Sequence, residues 1–387
     1  MKSSTRSNRA TRTARLAAVG AVLAAATALL AAPAQAATGT AARGGGSAVF
    51  VQSDNTGGNT VVAYDRAADG RLVQAGVYPT GGLGGMLGGS AVDHLASERS
   101  LGYDAAHHLL YAVNAGSNTV TVFAVDGDRL HRTQVIGSGG DFPVSIAVHG
   151  NLVYVLNALN GGSVQGFVRQ GSGLVRIGSW NRPLGLNPSA TPQFTTTPGQ
   201  VSFTPDGSAL VVTTKANSNS IDVFPLGRHD APAAQPVTTV EAGTVPFGFT
   251  FDRAGRLVVT EVGPGAVATF TVHRDGSLTQ VGSVPTNQAA TCWIVRTGDY
   301  LYTSNAGSGT VSGFRSGPHG TLTGLGNTAT AAGTVDAAAS ADGRNLYVQT
   351  GAAGIVNEFQ VHHDGSLTPI GQVTVPGAIG GEGVVVS

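Results

Sequence analysis

Glu261 ends the apolar run Leu257-Val258-Val259-Thr260, where the equivalent segments of the chain place Ser53, Asn114, Asn157, Thr214, Asn305 and Thr350. One carboxylate among neutral polar side chains is a candidate catalytic group, because an acid at a shared mouth can take a proton from water. Lys215 follows Thr214 and is the only lysine beyond Lys2. It is a candidate to pair with Glu261 or to hold an anionic substrate. Arg99, Gln200, Asp336 and Glu382 stand at or near the starts of other apolar segments. With Asn305 and Lys215 they complete a set of candidate substrate-binding residues. Asp93-His94 is the best-placed histidine, because it falls in an insertion. Cys292-Trp293 lies inside an apolar segment, where a single cysteine reads as a small buried hydrophobe. His107-His108 and His362-His363 fall in turns, and adjacent side chains there point to opposite sides. No metal site and no cofactor are expected. The chain has no Gly-x-Ser-x-Gly elbow. Its glycine run, Gly81 to Gly89, lacks the Lys-Ser/Thr ending of a phosphate loop.

These residues can meet only if the chain folds back on itself repeatedly, and its sequence repeats. An apolar-aromatic strand, a small polar loop and a second strand ending in an aromatic recur seven times, with Tyr64, Phe123, Phe167, Phe224, Phe270, Phe314 and Phe359 at the end. Tyr111 to Tyr347 is five periods across 236 residues, about 47 each, between the usual lengths of two propeller-blade repeats. Asp275-Gly276-Ser277-Leu278-Thr279 and Asp364-Gly365-Ser366-Leu367-Thr368 are near copies. Asp-Gly supplies the positive φ a tight hairpin needs. Small, apolar, weakly alternating segments precede each phrase, among them Val144-Ser145-Ile146-Ala147 and Cys292-Trp293-Ile294-Val295. They suit strands packed on both faces. The prediction is an all-β fold: a seven-bladed β-propeller of four-stranded antiparallel blades over 47–387. Glu382-Gly383-Val384-Val385-Val386 reads as the missing inner strand of the blade that begins near Ala48. The C-terminal strand would close the ring and remove an exposed edge. Two insertions interrupt the period, 79–100 and 181–200, and long loops on a rigid ring often carry function.

Composition narrows the function. Glycine numbers 57 of 387 residues and charged residues are only 11%. Residues 1–36 carry Lys2, Arg6, Arg9, Arg12 and Arg15 without an acid, then an apolar run from Leu16 to Ala32, then Ala34-Gln35-Ala36. That is the three-part pattern of a secretory signal. Residues 37–46 read as a disordered leader. Without the signal, 17 basic residues face 22 acidic ones, a net of −5. A mildly acidic chain is not drawn to nucleic acid or to anionic lipid. The expectation is a secreted monomer with no nucleic-acid partner and no membrane contact after signal cleavage. The single cysteine excludes an intramolecular disulfide framework.

The phrases Leu110 to Ser117 and Leu301 to Ser308, each followed by Thr-Val-x-x-Phe, together with the Asp-Gly-Ser-Leu-Thr turns, resemble the lactonase-type seven-bladed propeller family. That family includes propeller 6-phosphogluconolactonases and fungal carboxymuconate lactonizing enzymes. The resemblance implies a lactone hydrolase whose site holds a His, two Arg and a Glu, the Glu ending a second strand. Thr260-Glu261-Val262 matches that context, so Glu261 carries over. The His motif falls at Pro198-Gly199-Gln200, without a His. Phe247 and Ala306 stand where the motifs have arginine. Losing both cations removes the grip on a phosphate or carboxylate. Two readings remain open: a lactonase acting on an extracellular lactone or related ester, with a lactone or sugar-acid ligand, and a non-catalytic binding or scaffold propeller.

Overall fold

A computed structural model describes residues 47–387; the predicted signal and leader, 1–46, lie outside the described residues. Seven four-stranded antiparallel sheets form the seven blades of a propeller. The blades are numbered in chain order from the one containing Ala48. Blade 1 takes its inner strand, Val384–Val386, from the end of the chain and pairs it antiparallel with Ala48–Gln52, Val51 opposite Val384 and Val49 opposite Val386. This pairing satisfies an edge that would otherwise expose unpaired backbone groups. The other inner strands, in order from blade 2, are Leu101–Asp104, Pro143–His149, Gln200–Phe203, Pro246–Phe251, Thr291–Thr297 and Thr334–Ala339.

The repeated residues have a shared physical purpose. All seven strand-end aromatics are buried at 3% exposure or less. At Tyr64, Phe123, Phe270, Phe314 and Phe359 the register to the outer strand shifts. Such a bulge raises the local twist of a strand. Second-strand tyrosines join one blade to the next. Tyr302 donates its hydroxyl to the Gly365 carbonyl at 2.9 Å, and Tyr347 donates to Gly70 at 2.7 Å. Both acceptors sit in Asp-Gly turns at φ +82° and +88°. Each tyrosine therefore buries its ring without stranding its hydroxyl.

Candidate functional site

The 79–100 insertion runs over the ring, and its second half, Gly88 to Arg99, crosses the end of the axial channel. Many short contacts fix this strap. Asp93 accepts from the amides of Leu95 at 2.8 Å and Ser97 at 2.9 Å, folding it into a tight bend. Lys215 donates to the Ala96 carbonyl at 2.6 Å, the Phe194 carbonyl at 2.8 Å and Thr197 Oγ1 at 3.1 Å. Trp293 Nε1 donates to the Ser97 carbonyl at 2.6 Å. The Glu98 amide donates to Gly199 at 3.1 Å, and Ser145 Oγ donates to the Glu98 carbonyl at 2.7 Å. The strap thus touches blades 3, 4 and 6. The 181–200 region supports it: residues 181–183 belong to the outer strand Gly173–Pro183, while Phe194 lies on the short helix Gln193–Thr196 beside Gly88.

Two cavities result, one on each side of the strap. The upper pocket holds about 190 Å³ between the strap and blades 4, 5 and 6. Phe247, Trp293, Val245, Val262, Val92 and Ala306 supply its apolar walls, with Lys215, Asp93 and Cys292 beside them. Phe247 and Trp293 meet edge to face at 5.1 Å, and Lys215 Nζ lies 5.2 Å from the Phe247 ring centre. Burial pulls the Lys215 ammonium down to about 7, opposed by the Asp93 charge. Burial pushes the Asp93 carboxyl up to about 7 against its amide donors. It also pushes the Cys292 thiol up, so this cysteine is no ready thiolate.

The lower cavity is the axial channel, about 480 Å³, lined by inner strands of blades 1, 2, 3, 5, 6 and 7. Glu98, Arg99 and Asp336 stand at its strap end. Ile146, Phe249, Ile294 and Val385 are among its apolar walls. Arg99 is exposed and donates through Nη1 to Ser202 Oγ at 2.9 Å. Asp336 accepts from the amides of Ala337 at 2.7 Å and Val384 at 3.0 Å, and Glu98 accepts from the Ile294 amide at 3.3 Å. Burial pushes Asp336 up to about 6; burial, then the Asp336 charge, holds Glu98 well above the usual carboxylate range.

The residues singled out in the sequence therefore part company. Arg99 and Asp336 meet in the channel, joined by Glu98, which the sequence reading missed. The signal was available: Glu98-Arg99 is an adjacent charge pair inside an insertion. Lys215 lines the upper pocket and does not pair with Glu261. Glu261 is 4% exposed at the end of Leu257–Glu261 in blade 5. Its Oε2 accepts from Ser283 Oγ at 3.2 Å, on the outer strand of its own blade, while Oε1 is buried without a partner. Burial raises its carboxyl, and the neighbouring Glu241 charge adds to the rise. Gln200 accepts from the Phe249 amide at 2.6 Å and donates to the Phe249 carbonyl at 3.0 Å, so it ties blade 4 to blade 5. Glu382 is fully buried, accepts from the Ser100 amide at 3.4 Å and lines neither cavity. Asn305 donates to Thr310 and Ser312 and accepts from Thr291, bracing its own hairpin. His94 is only half-buried, with its backbone amide on the Gly380 carbonyl. Among the described residues, no group of three or more His, Cys, Asp or Glu side chains could hold a metal ion.

The seven-bladed architecture is shared with the propeller lactonases. Residues 212–337 match the family described as "Lactonase, 7-bladed beta-propeller", and the chain resembles that family. The matched segment contains Lys215, Phe247, Glu261, Cys292, Trp293 and Ala306. No curated protein sequence matches the chain. Among solved structures, a putative 6-phosphogluconolactonase from Bacteroides uniformis superposes with a TM-score of 0.70 at 19% identity, covering 88% of this chain and 99% of that one. A periplasmic gluconolactonase from Pseudomonas aeruginosa gives 0.69 at 18% identity, covering 88% and 98%. A virginiamycin B lyase from Staphylococcus aureus gives 0.53 at 13%, covering 74% and 87%. Identities this low establish the fold, and the third case shows that the fold does not fix the reaction.

Proposed function

We propose that the protein is an exported, lactonase-like propeller that takes a small, uncharged lactone or related ester into the upper pocket. The observation that carries this reading is the pocket wall. Phe247 and Ala306 line it where the resemblance would place arginines. The one cation beside it, Lys215, already donates to three protein acceptors. A phosphate or carboxylate would leave water for a wall with no free cation, which is costly. An uncharged ring faces no such penalty, and 190 Å³ suits a small one.

Glu261 itself does not line the pocket: its neighbour Val262 does, while its own carboxylate turns to Ser283, so its role here rests on the motif match. In this reading a water that enters between the pocket wall and blade 5 gives its proton to the buried, unpartnered Oε1 as its oxygen bonds to the ester carbonyl carbon. The ring C–O bond then breaks, and the proton passes to the departing oxygen. The raised carboxyl favours such proton transfer. The test is hydrolysis of a panel of neutral lactones of increasing ring size by the purified chain and by Glu261→Gln. Turnover of small neutral lactones that falls at least about a hundredfold in the variant supports the proposal. Turnover unchanged by the substitution defeats the assigned role.

A second reading is favoured by a specific feature: Glu261 Oε2 and every Lys215 donor are already engaged by protein groups. A non-catalytic binding propeller would hold the same lactones without turning them over. Calorimetric binding without hydrolysis across the panel selects it.

A further inference from the structure

The axial channel carries a group that the upper pocket lacks, an arginine whose donors face open space. Arg99 occupies the left-handed backbone region at φ +73°, a conformation that is strained for a non-glycine residue. Its backbone carbonyl accepts from the Ile146 amide at 2.9 Å, which fixes the residue there. Of its guanidinium N–H groups, only Nη1 has a protein acceptor, the neutral Ser202 hydroxyl. Among the described residues no carboxylate oxygen lies within 4.0 Å of it. The two neighbouring acids feel the Arg99 charge, which offsets part of the rise that burial gives both carboxyls, but they do not reach its donors and accept from backbone amides: Asp336 from Ala337 and Val384, Glu98 from Ile294. Farther along the same wall stands Arg296, also exposed, with Nη1 on the Gly298 carbonyl. Between the arginines the wall is apolar, with Ile146, Phe249, Ile294 and Val295.

We propose that the axial channel is a second ligand site, distinct from the upper pocket, that binds a small organic carboxylate with an apolar body. The carboxylate meets the free edge of the Arg99 guanidinium, which presents parallel donors in the geometry a carboxylate accepts. The hydrocarbon part lies on Ile146, Phe249 and Ile294. The strap separates the two sites by chemistry: a neutral ligand above, an anion below.

The test is calorimetric titration of the full chain with benzoate, with the neutral isostere benzamide and the cation benzylamine as controls. Benzoate binds with one site per chain, and benzamide and benzylamine bind at least about tenfold more weakly. Arg99→Met weakens benzoate at least tenfold, whereas Arg99→Lys keeps part of the affinity. Should Arg99→Met fold poorly, Ala337→Phe, which fills the channel from the opposite wall, abolishes benzoate binding with Arg99 intact. Glu261→Gln leaves benzoate binding unchanged, so this result is independent of whether any lactone is hydrolysed. Failure of benzoate to bind, equal binding of the three probes, tighter binding of benzylamine, or undiminished binding in Arg99→Met or Ala337→Phe overturns the proposal.

Discussion

The upper pocket and the axial channel share two of their walls yet have opposite chemistry. Along Pro246–Phe251, Phe247 faces the pocket and Phe249 the channel. Along Thr291–Thr297, Cys292 and Trp293 face the pocket while Ile294 to Arg296 face the channel. The strap makes the difference. It turns Val92, Asp93 and Ala96 upward and Glu98 and Arg99 downward. The upper side is apolar and its one cation is tied to protein acceptors; the lower side keeps a cation with free donors. A ring of blades thus supplies a neutral scaffold, and one inserted loop decides which ligands each end admits.

That contrast breaks most severely at Lys215. Lys215→Met leaves two buried carbonyls and a threonine hydroxyl without their donor and removes the tie between the strap and blade 4. Leaving a buried acceptor unsatisfied costs about 1–3 kcal/mol. The expected outcome is a chemical-denaturation midpoint lowered accordingly, with amide exchange accelerated across residues 88–99 and little changed in blades 1 and 7. Uniform acceleration would mean that the strap is not a separate element.

A milder break lies at Trp293. Trp293→Phe removes the indole donor to Ser97 while keeping an aromatic ring against Phe247. A stability loss of about 1–2 kcal/mol is expected in equilibrium unfolding. Binding of neutral ligands above should suffer more than benzoate binding below. Equal loss at both sites would show that the strap transmits every change to both cavities.

The smallest effect is a pH dependence of stability. Burial raises Asp336 to about 6, Asp93 to about 7 and Asp54 to about 8, with Glu98 and Glu382 also well above their usual range. Folded carboxyls with raised values hold protons that the unfolded chain has released, so their contribution is complete below about pH 4 and is lost as pH rises through 6 to 8. Lys215 acts oppositely: lowered to about 7, it makes the folded state gain on the unfolded between pH 7 and its ordinary value. The acids outnumber it. The melting temperature should therefore be a few degrees higher at pH 5 than at pH 7.5. A steady rise from pH 5 to 7.5 would contradict the buried-acid description.

The fold was legible because its signals are local and repeated. An aromatic at each strand end is buried at a twist, and each Asp-Gly turn offers the carbonyl that a neighbouring tyrosine needs. Ring closure was legible from an incomplete repeat at each end, and Val384–Val386 pairs as expected. The site was less legible because its contacts join segments far apart in the chain. Lys215 meets Ala96 across 119 positions and Trp293 meets Ser97 across 196. No spacing rule reports such pairs. Residues equivalent in the repeat also proved inequivalent in their surroundings: Asn305 braces a hairpin, whereas Glu261 at the same position turns to Ser283. Arg99 and Asp336 were singled out from strand starts and do share the channel, while Gln200, from the same reasoning, ties two blades together.

The division of the axis by the strap can be tested in a crystal pressurised with xenon and soaked in bromide. Xenon seeks dry apolar cavities, and bromide seeks unpaired cations. The account predicts xenon beside Phe247, Trp293 and Val262, and bromide beside Arg99, with the strap between them. Bromide beside Lys215, or both probes in one continuous cavity, would contradict it.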